Sequence, residues 1–121
     1  MLAMVGGDLP FPDYNVSGGG YVADDALERI IDKATESGAT HFVVPGNTPA
    51  KLAHHSARLK GRLAAPVFIV PGIGPLGGKI GDLVAAAHGC SVYGVVGRAV
   101  YGAPDQTAAA RALADEALAA G

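Results

Sequence analysis

Residues 24–70, DDALERIIDKATESGATHFVVPGNTPAKLAHHSARLKGRLAAPVFIV, decide the fold of this chain. In the first part of this stretch, apolar residues fall at i, i+3, i+4 and i+7, the spacing of one face of an amphipathic helix; they are Leu27, Ile30, Ile31 and Ala34. This spacing predicts a helix over residues 24–37, with Gly38 at the C′ position. The β-branched and aromatic run 40–44, THFVV, then predicts a strand that is buried on both faces.

The same order of elements repeats in the second part of the stretch. Thr48 is a good N-cap, and Pro49 stands at N1, where its missing N–H costs nothing. Residues at near-helical spacing then predict a second helix that ends near Gly61; they are Leu52, Ser56, Leu59 and Leu63. Residues 67–70, VFIV, predict the next strand.

The chain on either side of this stretch continues the alternation. Residues 2–5 predict the first strand, 80–88 a short Ala-rich helix, 91–96 another strand and 97–104 a compact loop. Asp105 is expected to cap a terminal helix, whose inward residues are predicted to be Ala110, Leu113 and Ala117.

Strands that alternate with helices in this way predict an α/β fold, built from βα units around a parallel sheet. Four such units in 121 residues come close to half of the roughly 250 residues and eight units of a TIM barrel. We therefore expect residues 1–121 to form a single domain with the architecture of a half barrel. The alternative is an open flavodoxin-like sheet, which needs about five strands.

The composition excludes several classes of protein. Hydrophobic residues make up 50% of the chain and charged residues 17%, which argues against intrinsic disorder. Apolar runs are too short for a membrane-spanning helix, and a net charge of −2 lacks the basic excess that nucleic-acid binding requires. The single cysteine and the absence of a signal-peptide pattern indicate a cytoplasmic protein, without membrane or nucleic acid as a partner.

Residues 6–21, GGDLPFPDYNVSGGGY, are the least regular part of the sequence and predict a long βα loop. We expect this loop to pack against the domain rather than to act as a linker, through its apolar residues Leu9, Phe11, Tyr14 and Val16. Asp24 and Asp25 follow the loop and are expected to cap the first helix.

A Gly-rich loop, PGIGPLGG at residues 71–78, directly follows a predicted strand. Its backbone N–H groups are little shielded by side chains, so they can converge on phosphate oxygens. It matches neither a P-loop nor a dinucleotide-binding fingerprint. A tight turn that simply needs positive φ is the alternative explanation for the glycines.

Gly97 and Arg98 follow the last predicted strand. Phosphate sites in TIM barrels are commonly built by the loops after the last two strands, and Arg offers phosphate oxygens a two-pronged donor. Together with the Gly-rich loop, Arg98 therefore predicts a phosphate site. The alternative is that Arg98 pairs with a surface carboxylate such as Asp105.

Other candidate ligands and nucleophiles are isolated in the sequence. His54 and His55 are adjacent on a helix and point about 100° apart, so they do not share a metal ion as an i, i+4 pair does. His41 and His88 have no companions at ligand spacing, and Cys90 is expected to be a small buried thiol. We therefore assign no metal site.

Three segments carry a resemblance to a known family: 43–52 (VVPGNTPAKL), 70–82 (VPGIGPLGGKIGD) and 95–110 (VVGRAVYGAPDQTAAA). In this order, they resemble the C-terminal half of archaeal-type orotidine 5′-phosphate decarboxylase. The related 3-hexulose-6-phosphate synthases share the VGRA-type ending, whereas the PGIGPxGG loop favours the decarboxylase.

The resemblance implies a carboxy-lyase of pyrimidine biosynthesis that converts orotidine monophosphate to UMP and carbon dioxide, without metal or organic cofactor. It implies a nucleotide monophosphate as ligand, with its phosphate held after the last two strands. The substrate-binding residues implied are Pro71, Gly72, Ile73, Gly74, Pro75, Leu76, Gly77, Gly78, Lys79, Ile80, Gly81, Gly97 and Arg98.

The sequence departs from the family pattern in two respects. The catalytic Asp-x-Lys-x-x-Asp array belongs to the N-terminal half of the family's barrel and is not in this chain; Lys79 and Asp82 have Gly77 where its first Asp should be. Leu76 and Val5 replace a Gln and a Ser that usually contact the nucleotide. We therefore assign no catalytic residue and expect the chain alone to be inactive.

Three interpretations remain open. The chain is one part of a decarboxylase whose catalytic array lies on a complementing N-terminal half, or it is a non-catalytic nucleotide- or phosphate-binding half barrel. In the third, it is a half barrel that forms a homo-oligomer, because a second copy would cover its exposed strand edges.

Overall fold

The computed structural model describes residues 4–6, 11–74 and 78–121. Its strands form one parallel sheet in the order β1-β2-β3-β4; they are β1 (Met4–Gly6), β2 (His41–Val43), β3 (Val67–Val70) and β4 (Ser91–Gly94). The helices are α1 (Ala26–Glu36), α2 (Pro49–Lys60), α3 (Ile80–Ala86), α4 (Arg98–Tyr101) and α5 (Gln106–Ala120). Predicted strand residues 2 and 3 lie outside the described part.

The strand order follows the chain order, as in a TIM barrel. A flavodoxin-like sheet would instead place its first two strands in reversed order, so the alternative considered for the fold is wrong. The chain is a half-barrel set of βα units. Each strand runs parallel to its neighbour, with Phe42 opposite Phe68 and Phe68 opposite Val92.

One face of the sheet carries the hydrophobic core. Phe42 and Phe68 are fully buried there, with ring centroids 6.5 Å apart. Side chains from three helices cover them, because apolar positions at helical spacing turn toward the sheet; the fully buried ones are Ile31, Leu52, Leu59 and Leu83. Ile30, expected to face inward with Ile31, is 45% exposed.

The opposite face of the sheet is less covered. Side chains alternate between faces along a strand, so the neighbours of the buried phenylalanines point away from the helices. Val43 and Ile69 are partly exposed, and Tyr93, in register with them, is 62% exposed. The sheet is thus packed on its helix side and open on the other.

The start of α1 differs from the prediction. Asp25 occupies the N-cap position, but its side chain makes no capping hydrogen bond. The carboxylate of Asp24 instead accepts hydrogen bonds from the backbone N–H and the hydroxyl of Ser17, at 3.1 and 2.9 Å. These acidic residues therefore do not cap through their side chains, since Asp24 ties the preceding loop to the helix.

That preceding loop contains two 3₁₀ turns, Pro12–Tyr14 and Val16–Gly18. The apolar side chains through which we expect this loop to pack are partly exposed in the described part, since Phe11 is 43% exposed and Val16 59%. Backbone hydrogen bonds order the loop instead, among them Val16 N–H to the Val22 carbonyl at 2.8 Å. Leu9, also expected to pack, lies outside the described residues.

Two further differences concern helix ends. Thr48 precedes α2 as expected, but its hydroxyl donates to Asn47 Oδ1 at 3.3 Å and forms no capping bond. The segment after β4, predicted as a loop, contains the four-residue helix α4. In α5, Leu113 and Ala117 are half-buried as predicted, whereas Ala110 is exposed and Ala109 is half-buried in its place.

Asp105 caps α5 as predicted: its carboxylate accepts a hydrogen bond from Ala108 N–H at 2.9 Å.

In the part of the chain that the structure describes, no helix combines the length and the apolar character that crossing a bilayer requires.

Candidate functional site

The parallel pairing of β3 and β4 brings the two predicted phosphate-binding segments to one edge of the sheet. Val70 stands opposite Gly94, and Val95 N–H donates to the Val70 carbonyl at 2.9 Å just beyond the strand. The described start of the Gly-rich loop, residues 71–74, and Gly97–Arg98 therefore follow neighbouring strands at the same end of the sheet. This is the carboxyl end, where ligands bind in TIM barrels.

The Gly-rich loop is closed by its own backbone. Gly74 N–H donates to the Gly78 carbonyl at 3.0 Å, and Gly78 N–H to the Gly72 carbonyl at 3.3 Å. Gly72 and Gly74 both have φ of +90°, a conformation that side chains with a Cβ rarely adopt. Pro75, Leu76 and Gly77, at the middle of the loop, lie outside the described residues.

Two loop residues anchor this segment to the domain. Ile73 is 3% exposed and belongs to the hydrophobic core. Gly78 is buried against the end of β2, where a Cβ would come within 2.6 Å of the Gly46 carbonyl oxygen. Gly46 N–H also donates to the Pro71 carbonyl at 2.7 Å, so the loop is held at both of its described ends.

Arg98 stands beside this loop. It is the first residue of α4, and Gly97 is the N-cap. A Cβ on Gly74 would approach the Ala99 side chain to 2.9 Å, which shows how closely α4 and the loop meet. Arg98 is exposed and, within the described ranges, forms no ion pair; the carboxylate of Asp105, its alternative partner, caps α5.

The remaining residues that the sequence relates to substrate binding differ in their exposure and in their contacts. Lys79 is the N-cap of α3 and is exposed beside the Gly-rich loop. Ile80 packs against the core, and Gly81 N–H donates to Glu116 Oε1 at 3.1 Å. That amide is therefore already engaged by the protein. Val5 pairs with Phe42 in the sheet, on the strand farthest from β4.

A cleft of about 300 Å³ lies away from these segments, between α1, α2 and the loop before α1. Its wall includes Glu28 and His54, which are joined by a hydrogen bond of 2.5 Å. This bond, aided by the positive charge of Arg58, lowers the pKa of Glu28. The two residues are 26 positions apart, so no local sequence pattern indicates the pair.

Among the described residues, no cluster of three or more His, Cys, Asp or Glu side chains could hold a metal ion.

The same two helices are joined by a charged cluster farther along α1. Asp32 accepts a hydrogen bond from Arg58 Nη2 at 2.9 Å and another from Arg62. The hydrogen bond from Arg62 and the charge of Arg58 lower the pKa of Asp32. This cluster holds α1 against α2 and does not extend to the Gly-rich loop.

No family model matches the chain, but individual proteins do. It is 37% identical over 89 residues to an orotidine 5′-phosphate decarboxylase of Pyrococcus horikoshii, covering 74% of this chain and 40% of that protein. The corresponding enzyme of Methanosarcina mazei is 32% identical over 99 residues, covering 82% and 42%.

Solved structures share the fold of this chain. An orotidine 5′-monophosphate decarboxylase from Sulfolobus solfataricus superposes with a TM-score of 0.71 and 19% identity, covering 97% of this chain and 49% of that one. One from Metallosphaera sedula gives 0.69 and 22%, covering 98% and 50%. The chain thus spans about two fifths of the curated relatives and half of the solved structures.

Proposed function

We infer, from its resemblance to the archaeal orotidine 5′-phosphate decarboxylases, that this chain supplies the phosphate-binding half of a carboxy-lyase of that kind. The observation that carries the proposal is the meeting of the Gly-rich loop and Arg98 at one end of the sheet, where Gly74 lies against Ala99. The ligand is a nucleotide monophosphate, orotidine monophosphate or UMP, and the site is that of a cytoplasmic enzyme of UMP synthesis.

Each part of this site has a distinct role. The guanidinium of Arg98 offers two parallel N–H donors to phosphate oxygens, and the exposed Lys79 adds a second positive charge nearby. The closed backbone of the Gly-rich loop fixes the entrance and exit of the segment before a ligand arrives. Binding of the phosphate, remote from the reacting carboxylate, can be used to orient that carboxylate for reaction.

Decarboxylation requires groups that this chain does not carry. The Asp-x-Lys-x-x-Asp pattern that the resemblance leads us to expect is missing from the sequence, so we propose that the array lies on a complementing N-terminal half and that the chain alone does not turn over substrate. The reaction needs no metal or organic cofactor in this proposal.

A second candidate function is nucleotide binding without catalysis. Leu76 stands where a hydrogen-bonding Gln is usual in the resembling family, and a Leu side chain cannot donate to a phosphate or a base. In this case the same site would bind UMP, but adding a catalytic half would restore no activity. The sugar-phosphate substrates of 3-hexulose-6-phosphate synthases are a further ligand class for this site.

Calorimetric titration of UMP into the purified chain tests the proposed site. We expect Arg98→Ala to weaken UMP binding by about 10- to 100-fold, because hydrogen bonds to a charged group contribute about 1.5–3 kcal/mol. Arg111→Ala is the matched control, since Arg111 is an exposed arginine on α5, and it should leave the affinity unchanged.

Ribose 5-phosphate serves as the competing ligand in the same titration. Tighter binding of ribose 5-phosphate than of UMP would favour a sugar-phosphate site over a nucleotide site. A folded chain that binds neither ligand, or binds UMP equally well after Arg98→Ala, would contradict the proposed function. Release of carbon dioxide from orotidine monophosphate, with and without an added N-terminal half, separates the catalytic proposal from the binding one.

A further inference from the structure

The side of the sheet that faces away from the helices carries a row of larger side chains. Val43, Ile69 and Tyr93 are in register across three strands and are half-buried or exposed. Tyr93 and Val95, at the last strand, expose 62% and 50% of their surface. In a closed barrel the side chains on this face of the sheet fill the interior, in layers contributed by alternate strands, so this surface is built to be covered.

We propose that, in the absence of the complementing N-terminal half of the proposed function, a second copy of this chain covers this surface and two half barrels close into one eight-stranded barrel. The order β1-β2-β3-β4 leaves β1 and β4 with one strand neighbour each among the described strands. A two-fold axis along the axis of the closed barrel places β4 of each copy beside β1 of the other. One symmetry operation therefore satisfies both edges, as in a closed cyclic dimer.

The helix layer ends in complementary surfaces at the same two flanks. On the β1 side, the outer face of α1 forms a groove of about 530 Å³ whose wall includes Ile30, Lys33 and Glu36. On the other side, α5 exposes 79% of Leu118. Arg111 and Asp115 share its helix face, being seven and three residues earlier. The two-fold arrangement brings α5 of one copy onto α1 of the other. Each of these two helix faces carries an apolar residue and side chains of both charges.

The chain exposes more area than a folded monomer of its mass is expected to expose, and the excess is about the size of a protein–protein interface. The chain exposes 7003 Å², whereas a folded monomer of its mass is expected to expose about 6,000 Å². The excess of about 1,000 Å² is comparable with the roughly 800 Å² that each partner buries in a standard protein–protein interface. A second copy would cover an area of this size and would supply a β1 edge for β4 and a β4 edge for β1.

Light scattering coupled to size-exclusion chromatography tests the stoichiometry. We expect a mass twice the 12.1 kDa of the chain and expect Tyr93→Lys to give the monomer mass with unchanged far-UV circular dichroism. Tyr21→Lys is the control, since Tyr21 is 99% exposed in the loop before α1, and it should stay dimeric. A monomeric parent chain, or a dimer unaffected by Tyr93→Lys, overturns the proposal.

Cross-linking tests the arrangement with variants on exposed helix surfaces, which do not depend on Tyr93. Ile30→Cys and Leu118→Cys are each made in a Cys90→Ser background, mixed, and treated with a short bis-maleimide. The two-fold closure predicts cross-links between the two variants and none between two copies of one variant. Links only within one variant contradict it. Neither readout uses UMP, so a failed dimer and a failed nucleotide site remain distinguishable.

Discussion

Glu28 and His54 show how one pair of side chains makes stability depend on pH. The hydrogen bond with His54 lowers the pKa of Glu28 from its ordinary value of 4.5. A carboxyl group with a lowered pKa in the folded state stabilises the fold fully above its ordinary value, and this contribution is lost as the pH falls through the lowered one. The contribution of Glu28 to stability is therefore lost over a pH range that begins near 4.5 and extends downward.

Glu28→Gln tests this effect. We expect it to lower the free energy of unfolding at pH 7 by less than about 1 kcal/mol, because the hydrogen-bonded pair is exposed to solvent. The difference from the parent chain should shrink as the pH falls below 4.5. Urea unfolding at a series of pH values measures it, with Glu36→Gln, an exposed glutamate on the same helix, as control. A difference that stays constant down to strong acid would contradict the linkage.

Gly78 tests the close approach between the Gly-rich loop and the end of β2. Gly78→Ala should lower the free energy of unfolding by about 1–3 kcal/mol, the usual cost of overpacking, because its Cβ would meet the Gly46 carbonyl oxygen at 2.6 Å. Gly61→Ala is the control: nothing lies within 4 Å of the added methyl group, and the change should be neutral or stabilising by about 0.4–1 kcal/mol. Equal effects in urea unfolding would show that the contact does not matter.

Two helices, α2 and α5, begin after a residue type that favours N-capping, but only one of these residues caps its helix through the side chain. Asp105 accepts a hydrogen bond from Ala108 N–H, whereas Thr48 makes no side-chain capping bond. Asp105→Ala should therefore cost about 0.5–2 kcal/mol of stability, and Thr48→Ala clearly less. Thermal unfolding of both variants checks the ranking, and a larger loss for Thr48→Ala would reverse it.

Elements with strong local patterns could be predicted from the sequence, and elements set by distant contacts could not. The apolar spacing before Gly38 and the run VFIV placed α1 and β3 to within two residues. The short helix α4 was missed because four residues carry no periodicity. Ile30 and Ile31 both fit the apolar spacing, and only tertiary packing decides that Ile31 is the fully buried one.

The candidate site divides in the same way. The adjacency of the Gly-rich loop and Arg98 follows from two consecutive parallel strands, which the sequence indicates. The contacts of Gly78 with Gly46 and of Gly81 with Glu116 could not be anticipated, since they join segments that are 32 or 35 residues apart in sequence. The pair formed by Glu28 and His54 was missed for the same reason.

The proposed closure by a second copy would link the stability of the chain to protein concentration. Any association of folded chains that unfolded chains do not make raises the melting temperature by mass action. We expect the Tm to rise by about 2–5 °C for each tenfold increase in concentration, and expect Tyr93→Lys to remove this dependence. Differential scanning calorimetry at several concentrations measures it, and a Tm independent of concentration in the parent chain would contradict it.

Ile73 limits how this protein can change during evolution. It lies within the segment proposed to bind phosphate, yet its side chain is almost fully buried in the core. Ligand loops on TIM barrels usually vary without loss of the fold, because binding and stability reside at opposite ends of the barrel. Here one residue serves both, so variants selected for a new ligand specificity at this position would also be selected for folding. Specificity should diversify first at the exposed positions, such as Arg98 and Lys79.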